Sequence, residues 1–121
     1  MTKRISYKQA RSLLKKPRKR TKFNNTIVDT PAGRFHSKKE YARYLVLASQ
    51  EDTGGISELN RQVPFALHVG DTKVCNYIAD FTYRDKKNRY IVEDVKGLIT
   101  PLYRLKKKML RAEYGIEVLE T

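Results

Sequence analysis

Two short runs of aromatic and β-branched residues, separated by a polar segment, restrict the fold of this chain more than any other feature. Tyr77–Tyr83 and Tyr90–Lys96 have the composition of strands, and Arg84–Arg89 between them is polar and turn-like. Together these segments predict a β-hairpin. Each strand carries an acidic residue among apolar neighbours, Asp80 in the first and Asp94 in the second. The fold must therefore accommodate two carboxylates within a sheet.

The register of this hairpin decides whether Asp80 and Asp94 lie on the same face, because side chains alternate along a strand. A three-residue loop, Lys86–Asn88, ends on an asparagine that tolerates the left-handed conformation, and it sets Asp80 opposite Asp94. A four-residue loop beginning at Asp85 sets Asp80 opposite Glu93 instead. The sequence leaves both registers open.

Lys96 shares the face of Asp94 by alternation, and in the first register Asp80 joins them, so that two carboxylates and an ammonium group converge. Neighbouring carboxylates repel each other unless a cation lies between them, and hard divalent cations prefer oxygen ligands. Such a site favours Mg²⁺, which polarises phosphoryl oxygens, beside a lysine that offsets charge on the reacting phosphate. The constellation indicates metal-assisted phosphodiester hydrolysis. The alternative is a solvated charge ladder of nearly neutral energy, formed by Asp80, Glu93, Asp94 and Lys96.

A helix is predicted to begin at Ser37, because Ser37 and Glu40 form an S-x-x-E capping box before apolar residues at helical spacing. The pair Gly54–Gly55 is expected to end it. Glu40 then has two alternative roles. Its carboxylate either accepts a hydrogen bond from the backbone of Ser37, as capping boxes do, or binds a metal ion. Glu93 is expected to point away from the site.

The remaining elements follow from turn and cap signals. Pro64 favours an edge position for its strand, and Thr100 followed by Pro101 is typical of a helix start. The predicted elements are a strand at Val63–Val69, a turn at Gly70–Asp71, a helix from Thr100 to Tyr114 that ends at Gly115, and a strand at Ile116–Leu119. The order of helix, three strands, helix and strand predicts an α/β fold, with a small mixed β-sheet flanked by helices.

These residues resemble a known superfamily. Ile78-Ala79-Asp80, followed after the hairpin turn by Val92-Glu93-Asp94-Val95-Lys96-Gly97 and preceded by a helix with an acidic residue, resembles the PD-(D/E)XK nucleases. The span from Arg34 to about Leu119 is more closely similar to a small phage-associated family of endodeoxyribonucleases, whose layout is similar to that of Holliday junction resolvases. The resemblance covers nearly all of the chain outside its basic N-terminal segment, and it implies a restriction-endonuclease-like core.

The resemblance also implies roles for individual residues. Asp80 and Asp94 match the metal-binding acids of the two motifs, Lys96 matches the catalytic lysine, and Glu40 matches the acidic residue on the first helix. The implied cofactor is Mg²⁺, with Mn²⁺ as a substitute, and the implied substrate is DNA. Two departures stand against the motif: Ala79 replaces the name-giving proline, and the second acid is an aspartate rather than the commoner glutamate.

A net charge of +13 indicates a polyanionic partner, and nucleic acid is the first candidate. Residues 1–22 contain many basic residues and no acidic one, which predicts a disordered phosphate-binding arm ahead of a nuclease domain at residues 23–121. The run Lys15–Arg20 alternatively resembles a nuclear localisation signal. The second helix carries a basic stripe at i, i+3, i+4 and i+7, beside apolar residues. The residues assigned to DNA contact are Arg18, Lys19, Arg20, Arg61, Gln62, Arg104, Lys107, Lys108 and Arg111.

Several classes are excluded. The single cysteine, Cys75, rules out an internal disulfide framework, and His36 and His68 have no partners at zinc-ligand spacing. No segment is apolar enough for a membrane helix or a signal peptide, which predicts a cytoplasmic protein. The sequence thus favours a Mg²⁺-dependent endodeoxyribonuclease. Symmetric cutting of two strands with one site per chain would require a homodimer. The alternative is a non-catalytic nucleic-acid-binding accessory protein on a nuclease-like fold.

Overall fold

The computed structural model describes residues 27–121, and the chain forms a mixed α/β fold there, as predicted. The basic arm predicted at residues 1–22, with Arg18, Lys19 and Arg20, lies outside the described residues. The elements in chain order are β1 (Val28–Thr30), β2 (Gly33–Phe35), α1 (Lys38–Asp52), β3 (Ser57–Val69), β4 (Thr72–Arg84), β5 (Tyr90–Asp94), α2 (Pro101–Tyr114) and β6 (Leu119–Glu120).

The main sheet has the strand order β3-β4-β5-β6, in which the first three strands are antiparallel and β6 runs parallel to β5. Strands β3 and β4 are each 13 residues long and are joined at Gly70–Asp71, where Gly70 has a φ of 61°. The predicted turn is confirmed, although both strands are longer than their apolar runs suggested. Pro64 lies within β3, an edge strand of this sheet, where a missing backbone donor is tolerated.

The β4–β5 hairpin adopts the first of the two registers. Phe81 pairs with Glu93 and Arg84 with Tyr90, which sets Asp80 opposite Asp94. The loop closes through a hydrogen bond from the Asp85 N–H to the Arg89 carbonyl at 3.0 Å, and Asn88 takes the left-handed conformation with φ of 63°. The alternative register, with Asp80 opposite Glu93, is wrong.

Both predicted helix starts are confirmed by their capping bonds. The Ser37 hydroxyl accepts from the Glu40 N–H at 3.0 Å, and the Thr100 hydroxyl accepts from the Tyr103 N–H at 3.1 Å. At the end of α2, Gly115 is left-handed with φ of 69°, and its N–H donates to the Arg111 carbonyl at 2.9 Å. The chain then reverses into β6, which begins at Leu119 rather than at the predicted Ile116.

The core consists of two buried clusters that contain successive residues of β4, Tyr77 and Ala79 in one and Phe81 and Tyr83 in the other. Leu47 of α1 packs with Ile56, Phe81 and Tyr83, while Leu110 of α2 packs with Leu67, Tyr77, Ala79 and Val92. Of the apolar residues beside the basic stripe of α2, Leu102 and Leu105 are about half exposed, whereas Met109 packs against the core. The face of α2 turned to the sheet carries Tyr103, Lys107 and Leu110. The Tyr103 hydroxyl and the Lys107 ammonium group both bind Glu120 of β6.

A small hairpin, β1–β2, was not predicted from the sequence. It brings the buried Phe35 against Tyr41 and Tyr44 of α1, with ring centroids 5.0 and 5.2 Å apart. The guanidinium of Arg61 lies 3.6 Å above the Phe35 ring and donates to the Arg34 carbonyl at 2.7 Å. None of the helices within residues 27–121 is long and apolar enough to cross a membrane.

Candidate metal centre

The backbone ladder between β4 and β5 is replaced by side-chain bonds at Asp80 and Asp94. The Asp80 N–H donates to Asp94 Oδ1 at 2.8 Å, and Asp80 Oδ2 accepts from the Val95 N–H at 2.9 Å. Strand β5 ends at Asp94 for this reason, since the next backbone donor binds a carboxylate instead of a strand carbonyl. The two acids are therefore held at fixed positions where the strands separate.

Both carboxylates are largely removed from water. Asp94 is 7% exposed, and its Oδ2 accepts a hydrogen bond from the Tyr77 hydroxyl. Burial raises the pKa of Asp94 to about 6 and also raises the pKa of Asp80, although backbone donors partly oppose this. Within residues 27–121, neither acid forms a salt bridge with a basic side chain. In this part of the chain, the hydrogen-bond donors to the pair are neutral groups.

Glu40 reaches the same site from α1. It is 3% exposed, and its Oε1 accepts from the His36 N–H at 3.1 Å, while its Oε2 accepts from Gln62 Nε2 at 3.0 Å. The capping bond therefore goes to His36 rather than to Ser37, and it occupies a single oxygen. Capping and metal binding are not exclusive for this carboxylate, because its second oxygen faces the site.

Gln62 connects Glu40 to the aspartate pair. Its Nε2 lies 3.0 Å from Glu40 Oε2 and 3.3 Å from Asp80 Oδ1, so that one amide group bridges two carboxylates. The pairing of Arg61 with Phe81 and of Val63 with Ala79 sets Gln62 opposite Asp80 across the β3–β4 ladder. The backbone of Gln62 has a φ of 52°, an uncommon value for a residue with a long side chain.

Glu120 is a further acid beside the pair, and sequence reasoning missed it. It pairs with Asp94 across the parallel β5–β6 ladder, and its Oε2 binds the Tyr103 hydroxyl at 2.7 Å and Lys107 Nζ at 3.0 Å. These contacts lower the pKa of Glu120. The only signal in the sequence was that Glu120 directly follows the predicted last strand. The register of that strand depends on how α2 packs.

Lys96 forms no ion pair with Asp80 or Asp94 in the structure. Its side chain is exposed and makes no salt bridge within residues 27–121, although its backbone N–H still pairs with the Thr121 carbonyl at 2.8 Å. The ammonium group of Lys39 binds the Lys96 carbonyl at 2.9 Å. The separation of the strands at Asp94 leaves the Lys96 side chain facing solvent at the rim of the site.

Glu93 points away from the pair, as expected, and its carboxylate is fully buried. Arg43 binds it through Nε at 2.6 Å and Nη2 at 3.1 Å, and the Tyr83 and Thr121 hydroxyls donate at 2.6 and 2.9 Å. This residue joins α1 to the sheet and to the C-terminus.

The residues assigned to DNA contact are distributed unevenly. Arg61 stacks on Phe35, donates to the Arg34 carbonyl and lies 4.0 Å from Glu40 Oε2, so its guanidinium is held within the fold. On α2, Lys107 pairs with Glu120 and Arg111 pairs with Glu117 at 3.3 Å. Two of the four basic residues of the stripe therefore form salt bridges within the chain. Arg104 and Lys108 are exposed to solvent.

The donor set fits a hard divalent cation in type, since Glu40, Asp80 and Asp94 all offer carboxylate oxygens. Within residues 27–121, however, no three acidic, histidine or cysteine side chains are already grouped closely enough to hold a metal ion. The Gln62 amide lies between two of the three acids. The amide therefore occupies the space between the carboxylates of Glu40 and Asp80.

Comparison with known proteins gives a family but no activity. A family model described as a protein of unknown function, DUF1064, matches residues 20–119. The match spans most of the chain, so the chain belongs to this family. No curated protein and no solved structure matches it.

Proposed function

We propose that this protein is a Mg²⁺-dependent endodeoxyribonuclease that hydrolyses phosphodiester bonds of DNA. The observation that supports this most strongly is the pair Asp80 and Asp94, which is fixed by backbone N–H donors and forms no salt bridge with a basic side chain within residues 27–121. Desolvated acids without a salt bridge do not stabilise a fold, because burying a charge costs free energy. Acids whose pKa is shifted by burial are typical of functional sites.

Asp80, Asp94 and Glu40 would hold the metal ion, with Mn²⁺ as a substitute for Mg²⁺. The bound ion would polarise a phosphoryl oxygen and acidify a coordinated water. The protein's part is to orient the ligands: Tyr77 and the Asp80 N–H fix the Asp94 carboxylate, and the Val95 N–H fixes Asp80. Lys96, exposed two residues after Asp94, is suited to contact the scissile phosphate at the rim of the site.

The proposed substrate follows from charge. The net charge of +13 favours the DNA backbone, and Lys96, Arg104 and Lys108 present cations on the described surface. Phosphate contacts carry no sequence information, so we infer preference for DNA structure rather than for base sequence. The sequence resemblance to PD-(D/E)XK nucleases with the layout of Holliday junction resolvases supports branched DNA, cut by a homodimer. We place this activity in the cytoplasm.

Incubation of the protein with supercoiled plasmid and with a four-way DNA junction tests the proposal. We expect cleavage in Mg²⁺ and none in EDTA. Asp80→Asn and Asp94→Asn should each lose at least about a hundredfold in rate while keeping DNA affinity. Asp71→Asn is the matched control, since it removes an exposed acid at the β3–β4 turn and should cut like the wild type.

A second candidate is a non-catalytic nucleic-acid-binding protein. The Gln62 bridge favours it, because it satisfies two of the acids without any metal ion. Under this alternative the wild type binds the junction but leaves it intact in Mg²⁺ and in Mn²⁺, and the two aspartate variants bind as it does. That result would refute the nuclease proposal.

A further inference from the structure

The amide of Gln62 lies between the carboxylates of Glu40 and Asp80. Its Nε2 carries two N–H donors, one for Glu40 Oε2 at 3.0 Å and one for Asp80 Oδ1 at 3.3 Å. Glu40 is almost fully buried and Asp80 is half-buried, so their mutual repulsion is poorly screened by water. Arg61 Nη2 lies 4.0 Å from Glu40 Oε2, but it forms no salt bridge with Asp80. The neutral amide adds no net positive charge, so this repulsion is relieved only in part.

The backbone around Gln62 is built to aim this side chain. Its φ of 52° is in the left-handed region, which costs a residue other than glycine some conformational energy. The preceding Arg61 is clamped by its stacking on Phe35 and its bond to the Arg34 carbonyl, so the chain cannot relax easily. Such a conformation persists only where the surrounding structure imposes it.

We propose that Gln62 is a positioning residue that occupies the cation site of the metal-free protein, and that its amide must withdraw from Glu40 and Asp80 when a divalent cation binds. This inference rests on the proposed function, because it deepens the description of the same metal site. The amide keeps the carboxylates in place and lowers the affinity for the cation, since binding must first break two hydrogen bonds to charged groups.

Mn²⁺ affinity, measured by electron paramagnetic resonance of the free ion, tests this on the full-length protein. Gln62→Leu removes both donors at nearly constant volume, and we expect it to bind Mn²⁺ about tenfold more tightly than the wild type. Gln62→Gly provides a second variant that adopts the left-handed backbone without strain and should shift in the same direction. Gln50→Leu, on the exposed surface of α1, is the matched control and should not change the affinity.

Unchanged or weaker Mn²⁺ binding by both Gln62 variants would overturn the inference, and so would the absence of Mn²⁺ binding by all proteins. The outcome is separable from that of the proposed function. Tighter binding by the variants without any DNA cleavage would uphold the role of Gln62 and refute the nuclease. DNA cleavage by the wild type, together with Mn²⁺ affinities that do not change in the Gln62 variants, would uphold the nuclease and refute the role of Gln62.

Discussion

Glu93 and Asp94 are neighbours in β5 and are both buried, yet their surroundings differ completely. Glu93 receives charged donors from Arg43 and hydroxyl donors from Tyr83 and Thr121. Burial alone would raise its pKa, but these donors outweigh burial, and the pKa of Glu93 is lowered. Asp94 has only neutral donors, and burial raises its pKa to about 6.

This difference separates a structural acid from a candidate functional one. The charge of Glu93 is balanced within the chain, so that the Arg43–Glu93 pair can join α1 to the sheet at low cost. Within residues 27–121, the charge of Asp94 has no salt-bridge partner, and the neighbouring Asp80 has none either. Under the proposed function, a divalent cation would balance this pair.

The largest expected effect on stability comes from removing the cation of the Arg43–Glu93 ion pair. Arg43→Met should destabilise the protein by about 3–5 kcal/mol, because it leaves the fully buried Glu93 carboxylate without its cation. Urea unfolding followed by circular dichroism measures this. Arg104→Met, at an exposed position of α2, should change the unfolding free energy by less than about 0.5 kcal/mol. A loss below about 1 kcal/mol for Arg43→Met would contradict the assignment of Glu93 as balanced.

The uncompensated side should respond in the opposite sense. Asp94→Asn removes a buried charge and retains a side-chain acceptor for the Asp80 N–H, so we expect a gain of about 1–2 kcal/mol at pH 7 in the absence of divalent metal. Glu93→Gln, its neighbour and matched control, should instead lose stability because Arg43 is left unpaired. Equal losses for both variants in metal-free urea unfolding would remove the distinction between the two acids.

The smallest effect is the pH dependence of that gain. The pKa of Asp94 is higher in the folded protein than in the unfolded chain, so the folded state binds this proton more tightly. The stability contributed by Asp94 therefore falls as pH rises from about 4 to 6. The advantage of Asp94→Asn over the wild type should shrink as pH is lowered from 7 to 4 in a series of urea titrations. An advantage that is constant over this range would show that Asp94 has an ordinary pKa.

Much of the fold could be predicted from local signals. The caps at Ser37, Thr100 and Gly115 and the loop ending at Asn88 each depend on a few consecutive residues, and all four have the predicted conformation. The sequence left two hairpin registers open, and the structure adopts the one in which the three-residue loop sets Asp80 opposite Asp94. These features are local because turn and cap energies are decided within one turn of the chain.

The parts that were missed depend on tertiary packing. The bonds of Tyr103 and Lys107 to Glu120 help to decide which face of α2 packs on the sheet. The spacing of apolar residues gives no information about such polar contacts. The bridging role of Gln62 depends on a left-handed residue within a strand and on the approach of α1, neither of which has a sequence signature. The Lys96 side chain was expected to join the acids from alternation alone, but alternation does not account for the separation of the strands at Asp94.

Crystals of the metal-free protein, soaked in MnCl₂ and measured for anomalous diffraction, provide the most direct test that these acids form a metal centre. We expect a single strong Mn²⁺ peak bounded by the Glu40 and Asp80 carboxylates, with the Gln62 amide displaced from between them. Saturating Mn²⁺ that leaves the Gln62 bridge intact, with no peak at Glu40, Asp80 or Asp94, would contradict it.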